Sequence, residues 1–365
     1  MKVPFLDLGA SYQELKNEID TSISRVLNSG NYILGKEVEH FENEWAKYCQ
    51  AKYAVGLGSG LDALTLALRS LDVGPHDEVI VPSNTYIATW MAVKAVGATP
   101  IPVEPDPKTY NIDTSLIAQA ITSNTKVILP VHLYGQPANM DSIIELAKQN
   151  KLKIIEDAAQ AHGALYKDHR IGAHGNIVCW SFYPGKNLGA FGDAGAITTD
   201  DAKLAERINI LRNYGSKKKY LNEEIGVNSR LDPLHAAVLS IKLKYLDEWN
   251  ERRCLIANTY NESLGSCNLI LPNILKFTKP VWHLYVIRCL ERERLQNHLK
   301  ESGIGTLIHY PVPPHMQKAF AGLNIEADSL PLARELSEQT ISLPVGPHLD
   351  NEKLSYIIRK IIEFL

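Results

Sequence analysis

Two residues in this chain stand in contexts that could do chemistry. Lys186 lies in Ser181-Phe-Tyr-Pro-Gly-Lys186-Asn-Leu-Gly-Ala-Phe-Gly-Asp-Ala-Gly195, a glycine-rich turn between two apolar runs. Upstream, the strand-like Lys153-Ile-Ile-Glu156 ends in Asp157-Ala-Ala-Gln160-Ala-His162. A lysine amine condenses with an aldehyde, and a carboxylate at a strand's end can hold a heteroaromatic ring nitrogen protonated. Together they point to a pyridoxal phosphate site. Alone, a lysine is usually a solvated surface charge and an aspartate after a strand usually a cap or turn residue. The pair therefore needs a phosphate cup and a fold that brings both residues together.

A candidate cup is Val55-Gly-Leu-Gly58-Ser59-Gly60-Leu61-Asp62-Ala63, which follows a strand pattern and opens a helical one. Backbone N–H groups at such a helix start hold phosphate. The rival is a dinucleotide-binding turn, which asks for an acid at the end of the next strand, about 20 residues on. Here Asp77 and Glu78 precede the next strand, Val79–Pro82, and no second nucleotide-binding half follows. Tyr86 opens the helix after that strand, where an aromatic ring could stack on a pyridine or simply fill the core. Asp157 in a dry site would keep the ring nitrogen protonated, so that the ring can absorb a carbanion's electrons. Ala159 is small enough to lie under the ring's other face, and Gln160 could hydrogen-bond the ring hydroxyl.

The elements that must position these residues alternate. Strand patterns fall at Tyr53–Leu57, Val79–Pro82, Thr99–Val103, Lys126–Val131, Lys153–Glu156, Ile177–Ser181 and Ala194–Thr199, with helical patterns between the earlier ones at Leu61–Leu71, Tyr86–Val96 and Met140–Gln149. Helical spacing also predicts Glu14–Leu27 and Lys36–Cys49, the latter with Val38, Phe41, Trp45 and Tyr48 on one face. This implies an α/β fold, a largely parallel sheet covered on both faces, with ligands outside the strands' carboxyl ends. After Thr199 the alternation stops. A helical stretch runs from Leu231 to Leu264, and a domain boundary is expected near residue 245, giving a large domain 1–245 and a small C-terminal domain 246–365. The segment His309-Tyr310-Pro311-Val-Pro313-Pro314-His315 should be extended and exposed, because its prolines fix its course.

The bulk numbers exclude other classes. The chain has 365 residues, 45% hydrophobic and 22% charged, with a net charge of −3. That is ordinary for a soluble globular protein and favours neither nucleic acid nor an anionic membrane. No stretch approaches the roughly 20 apolar residues that span a bilayer, and the N-terminus lacks a secretory pattern. Five scattered cysteines without CxxC read as thiols in a reducing cytoplasm. Twelve histidines without HExxH or clustered His/Cys spacing give no metal site.

The sequence resembles the nucleotide-sugar aminotransferases of the DegT/StrS type, within the fold-type I pyridoxal phosphate enzymes. The likeness covers nearly the whole chain. It is carried by Pro4-Phe-Leu-Asp-Leu8, Tyr32-Ile-Leu-Gly35, Gly58-Ser-Gly-Leu-Asp-Ala-Leu64, Gly74 to Pro82, Thr85-Tyr-Ile-Ala-Thr89, Pro130-Val-His-Leu-Tyr-Gly135, Glu156-Asp-Ala-Ala-Gln160, Ser181 to Gly189, Arg212-Asn-Tyr-Gly215 and Asn228-Ser-Arg230. The resemblance implies a seven-stranded, mostly parallel sheet flanked by helices, with a smaller C-terminal α+β domain. It makes Lys186 the cofactor-linked lysine and Asp157 the pyridinium partner, with Gln160 at the ring hydroxyl and Tyr86 stacked on the ring. Gly60 and Leu61, through their N–H groups, and Ser181 would hold the phosphate. Asn228 would complete the phosphate site of a neighbouring subunit, so a homodimer with shared sites is expected. Many relatives carry Thr where this chain has Leu61, so one hydroxyl contact to phosphate is lost.

Within the family, the leucine form of that loop and the His309-Tyr310 segment most resemble enzymes that aminate C3 of a dTDP-linked 3-keto-6-deoxyhexose, with glutamate as donor. That likeness makes Tyr183, Lys219, His309, Tyr310 and His315 candidates for contacts to the sugar or nucleotide. Lys219 can equally be a loop charge and His309 a hydrogen-bonded loop histidine. Three alternatives stay open: amination at C4, a sugar dehydratase (whose lysine is replaced by histidine in relatives) and a regulatory pyridoxal phosphate-binding protein.

Overall fold

The computed structural model describes residues 1–365. Seven strands form one sheet in the order Tyr53–Leu57, Gly195–Thr199, Ile177–Ser181, Lys153–Asp157, Thr125–Ile128, Glu78–Pro82, Thr99–Val103. All neighbours pair in parallel except Gly195–Thr199, which runs antiparallel to both of its own. The seven strand patterns in the sequence match these strands closely. β-branched runs bounded by turn residues leave little choice of period.

Side-chain alternation explains why both faces are covered. Ile80, Ile128, Ile154 and Val178 point to one face, against Phe41 and Trp45 of the helix Lys36–Tyr48. Their neighbours Val79, Val81, Val127, Ile155 and Ile177 point to the other, against Leu64, Leu66 and Ala67 of the helix Gly60–Ser70 and Trp90 of Ile87–Ala95. A strand apolar at every position can only sit between two layers of helix. Each such side chain contributes about 1.5–3 kcal/mol when fully buried.

A separate apolar cluster lies C-terminal. The strands Tyr285–Arg288 and Thr340–Leu343 pair antiparallel, and Tyr285, Ile287, Ile341 and Leu343 pack with Leu295, Leu299, Ile357 and Ile361 of the helices Arg292–Glu301 and Asn351–Phe364. No helix is long and apolar enough to cross a membrane.

Two expectations need correction. The stretch Leu231–Leu264 is two helices, Pro233–Leu243 and Leu246–Leu264. The break carries a tight turn in which the Tyr245 N–H donates to the Lys242 carbonyl at 3.0 Å. The expected helix Glu14–Leu27 is present as Lys16–Ser29, and a further short helix, Leu8–Glu14, precedes it across a break at Leu15 (φ −109°, ψ 17°). The proline segment is not wholly exposed, because Pro314–Met316 forms a 3₁₀ turn that buries Pro314 and His315.

Candidate active site

A cavity of about 650 Å³ opens at the carboxyl ends of the strands, lined by Lys186, Asp157, Gly60, Leu61, Tyr86, Ala159, Gln160, Ser181, Tyr183, His309 and Tyr310 among others. The register explains the gathering. Leu57 and Ser181 both pair with Gly195, and Asp157 pairs with Cys179. Four chain segments thus end or begin at one edge.

Lys186 is carried on a pinned loop. The Phe182 N–H donates to the Ala194 carbonyl at 2.8 Å, the Ala190 N–H to Phe182 at 2.7 Å and the Lys186 N–H to Tyr183 at 2.8 Å. Asn187 Nδ2 donates to Asn250 Oδ1 at 2.9 Å and to the Val281 carbonyl at 2.8 Å, tying the turn to the C-terminal part of the chain. Buried Lys242 donates to the Gly189 carbonyl at 2.7 Å. Desolvation pushes the Lys186 amine down to about 8, against the attraction of Asp157. An appreciable fraction is then neutral, and therefore nucleophilic and basic, near neutral pH.

Asp157 is buried at the end of its strand. Burial pulls its carboxyl above the usual range, opposed by the Ala159 N–H (3.2 Å), the Thr89 hydroxyl (2.9 Å) and the Lys186 charge. A cation in hydrogen-bond contact would reverse that shift.

The phosphate-sized end of the cavity is backbone. Ser59 caps the helix Gly60–Ser70, its Oγ accepting from the Asp62 N–H at 3.1 Å. The N–H groups of Gly60 and Leu61, in the first turn, have no intrahelical acceptor. Ser181 lies against them so closely that a Cβ on Gly60 would sit 2.6 Å from Ser181 Cβ. Two free N–H groups, a hydroxyl and a helix N-terminus suit a phosphate. With Lys186 and Asp157 in the same cavity, the residues present fit pyridoxal phosphate.

Across the cavity, Gln160 Oε1 accepts from the Tyr134 N–H at 2.6 Å and its Nε2 donates to Tyr310 Oη at 2.9 Å. One amide N–H is therefore already used, and Gln160 and Tyr310 form one unit. Tyr86 is half-exposed, with its ring 5.4 Å from that of Tyr310. His309 Nδ1 meets Ser342 Oγ at 2.8 Å, and burial pushes its imidazole down to about 4, so it is neutral at working pH.

Three candidates are not brought to this cavity. His315 turns away: its Nε2 donates to the Ala327 carbonyl at 3.3 Å, because the 3₁₀ turn folds its ring inward. Lys219 stands exposed at the tip of the hairpin formed by Ser216–Lys218 and Leu221–Asn222. Asn228 is exposed beside the glycine turn's partner Ser229 and does not line the cavity. Its neighbour Ser229 accepts there from the Gly58 N–H at 3.0 Å and donates to Asp62 Oδ2 at 2.7 Å. The sequence reading did not single out Thr89, Asn187, Arg253, His283 or Phe5. The first is signalled by its spacing from Thr85, one helical turn earlier, and by their shared hydroxyl contact of 3.0 Å.

The sheet order and the cavity with its lysine, aspartate and phosphate cup define a pyridoxal phosphate enzyme of the fold-type I class. More narrowly, the chain belongs to the DegT/DnrJ/EryC1/StrS aminotransferase family, whose sequence profile matches residues 13–362. It is 53% identical to a dTDP-3-amino-3,4,6-trideoxy-alpha-D-glucose transaminase of Streptomyces venezuelae, over 100% of this chain and 96% of that one. It is also 53% identical to a dTDP-3-amino-3,6-dideoxy-alpha-D-galactopyranose transaminase of Aneurinibacillus thermoaerophilus, over 98% of each chain. The crystal structure of S. venezuelae DesV, described as a complex with a ketimine intermediate, superimposes with a TM-score of 0.98 and 53% identity, covering 100% of this chain and 98% of that one. The chain is a pyridoxal phosphate-dependent sugar aminotransferase.

Proposed function

We propose that this enzyme transfers the amino group of glutamate to C3 of a dTDP-linked 3-keto-6-deoxyhexose, giving a dTDP-3-amino-3,6-dideoxyhexose. The observation that carries the reading is a desolvated lysine and a buried aspartate in one cavity, in a chain as similar as this to transaminases of two dTDP-3-amino sugars.

When bound, pyridoxal phosphate supplies a carbonyl that captures the amine and a ring that takes up the electrons released at the donor Cα. Lys186 would anchor the cofactor and, when free of it, would move the proton to and from the donor Cα. An amine near pKa 8 can both accept and return that proton. Asp157 holds the ring nitrogen's proton, and Thr89 and Ala159 fix the carboxylate's orientation. Gly60, Leu61 and Ser181 hold the phosphate. Tyr86 and Ala159 would flank the ring, and Gln160 would meet its hydroxyl. Tyr183, His309 and Tyr310 place the sugar. His315 keeps at most an indirect role, by stiffening the loop that carries Tyr310.

The active unit in this reading is a homodimer, in which Asn228 and Lys219 serve the neighbouring subunit's phosphate and nucleotide. Their exposure outside their own cavity supports this. We also place a division near residue 245, between a cofactor domain and a smaller C-terminal one, and a cytoplasmic setting. The test is turnover of glutamate with dTDP-linked 3-keto and 4-keto 6-deoxyhexoses, with the product read by NMR. A new amine at C3 is expected, and one at C4 moves the enzyme to the alternative chemistry.

A further inference from the structure

Tyr134 lies behind the cavity and does not line it. It follows the strand Thr125–Ile128 at the carboxyl edge of the sheet and packs with Tyr110, Leu284 and Val286. Its backbone sits at φ 60°, ψ 8°, a left-handed conformation that a bulky residue rarely adopts. Such a conformation persists where the surroundings over-determine it. Here two hydrogen bonds do so, and both lead to residues that line the cavity. The Tyr134 N–H donates to Gln160 Oε1 at 2.6 Å, and its hydroxyl donates to the His309 carbonyl. Burial pushes the Tyr134 phenol well above its ordinary range, so the hydroxyl keeps its proton at neutral pH.

These bonds fix the direction of a relay. A backbone N–H can only donate, so Gln160 must turn its oxygen toward Tyr134 and its amide NH2 toward Tyr310. Gln160 Nε2 donates to Tyr310 Oη at 2.9 Å. Tyr310 Oη thus accepts from the protein, and its own proton is left for an acceptor in the cavity that it lines. Burial raises the Tyr310 phenol as well, which keeps that proton in place at neutral pH. On its other side the loop is held by the strand Thr340–Leu343. His309 Nδ1 meets Ser342 Oγ at 2.8 Å, and the Ser342 N–H donates to the Leu307 carbonyl at 2.8 Å. We propose that Tyr134 is a positioning residue for the sugar half-reaction, fixing Tyr310 as a hydrogen-bond donor to an oxygen of the keto-sugar nucleotide. This rests on the sugar aminotransferase reading above. Tyr134 acts only through Gln160 and the His309 carbonyl.

The test is Tyr134→Phe, which removes the hydroxyl and keeps the ring and the N–H to Gln160. Two half-reactions of the holoenzyme are followed by the cofactor's absorbance, one with glutamate and one with the keto-sugar nucleotide added to the amine form. The sugar concentration giving half the maximal rate should rise about five- to tenfold, the upper part of what one lost hydrogen bond gives. The glutamate half-reaction should stay within about twofold. Cofactor affinity, titrated by tryptophan fluorescence of the apoprotein, should also stay within about twofold. Equal losses in both half-reactions, or a matching loss of cofactor affinity, would make Tyr134 a general packing residue and overturn the proposal. An unchanged sugar half-reaction would overturn it too. Should the variant fail to fold, a crystal of the wild-type enzyme soaked with its amino-sugar nucleotide product decides. Tyr310 Oη within hydrogen-bond distance of a sugar oxygen, with Gln160 Nε2 still on the phenol, supports the assignment. Tyr310 bonded to no sugar atom, or Gln160 turned away from it, overturns it. A wild-type enzyme that aminates C4 overturns only the position of amination, and the half-reactions are then compared with that sugar. One that reacts with glutamate but with no keto-sugar nucleotide overturns the sugar reading, and the role of Tyr134 with it.

Discussion

Gly60 and Ser181 come from opposite ends of the sheet domain's sequence and meet with no room for a side chain between them, a Cβ on Gly60 falling 2.6 Å from Ser181 Cβ. Gly195, in register with Ser181, closes the third side, since its own Cβ would run into the backbone of Ser59. The helix start and the serine hydroxyl are therefore held as one rigid cup.

Gly60→Ala should accordingly loosen the cofactor more than the fold. Overpacking of this kind costs about 1–3 kcal/mol. If about half falls on the cup, pyridoxal phosphate binds about two- to tenfold more weakly. A tryptophan-fluorescence titration of the apoprotein measures this. An unchanged Kd would show that phosphate does not use this helix start.

Lys186 predicts a pH-dependent stability of the apoprotein. Its folded pKa, about 8, lies below its unfolded value of about 10.4. Between these values the unfolded chain holds a proton that the folded one does not, so stability rises with pH across that window. Lys186→Met should therefore be more stable than wild type at pH 7, with the gap closing as pH rises from 8 to 10. Thermal melts of the two apoproteins check it. The same variant should have no transaminase turnover.

Asp157→Asn should keep the fold and the cofactor, because the Ala159 N–H can still donate to the amide oxygen and the Thr89 hydroxyl can accept from the amide NH2. The glutamate half-reaction should slow by about 10²-fold or more, since no anion remains to hold the ring nitrogen's proton. Stopped-flow absorbance measures the step, and a near-normal rate would mean another group supports that proton.

A shared active site predicts rescue in mixed subunits. Lys186→Ala and an Asn228→Asp variant, each inactive alone, should regain activity when exchanged into a heterodimer, because one site collects both lesions and the other neither. Confirmed exchange without recovery would remove the shared site.

His309→Ala and Tyr310→Phe should raise KM for the keto sugar or lower its kcat, while the glutamate half-reaction changes by less than about threefold. His309 is pushed to about 4 and stays neutral above pH 6, so its loss should leave the shape of the pH profile unaltered there.

Much of this was legible in the chain because the signals were local. Strand runs such as Val79–Pro82 and Ile177–Ser181 fix their own period, and the turn Pro184-Gly-Lys186 announces itself by composition. What stayed hidden depends on distant partners. Arg253 reads as part of the charged run Glu251-Arg252-Arg253, and only the packing of Trp282 and Val345 makes it a buried cation. The strands Tyr285–Arg288 and Thr340–Leu343 pair across a long intervening segment, which no local pattern encodes. The break at Tyr245 involves neither glycine nor proline, so apolar periodicity ran straight through it. His315 looked available because proline loops are usually exposed, yet its ring had an acceptor waiting in Ala327.

The antiparallel course of Gly195–Thr199 has an effect beyond the sheet. Since that strand starts where Ile177–Ser181 ends, the chain leaves and re-enters the sheet at the same edge, and the lysine travels on a handle with both feet on adjoining strands. A parallel strand there would have needed a crossover through a helix, with its start at the far edge. A change of length in the handle falls between two strand ends and leaves their register alone, while the bonds of Asn187 and Lys242 to it would have to be remade. The reactive amine is thus a replaceable cassette on a fixed frame, and the geometry of attack can evolve independently of the fold that supports it.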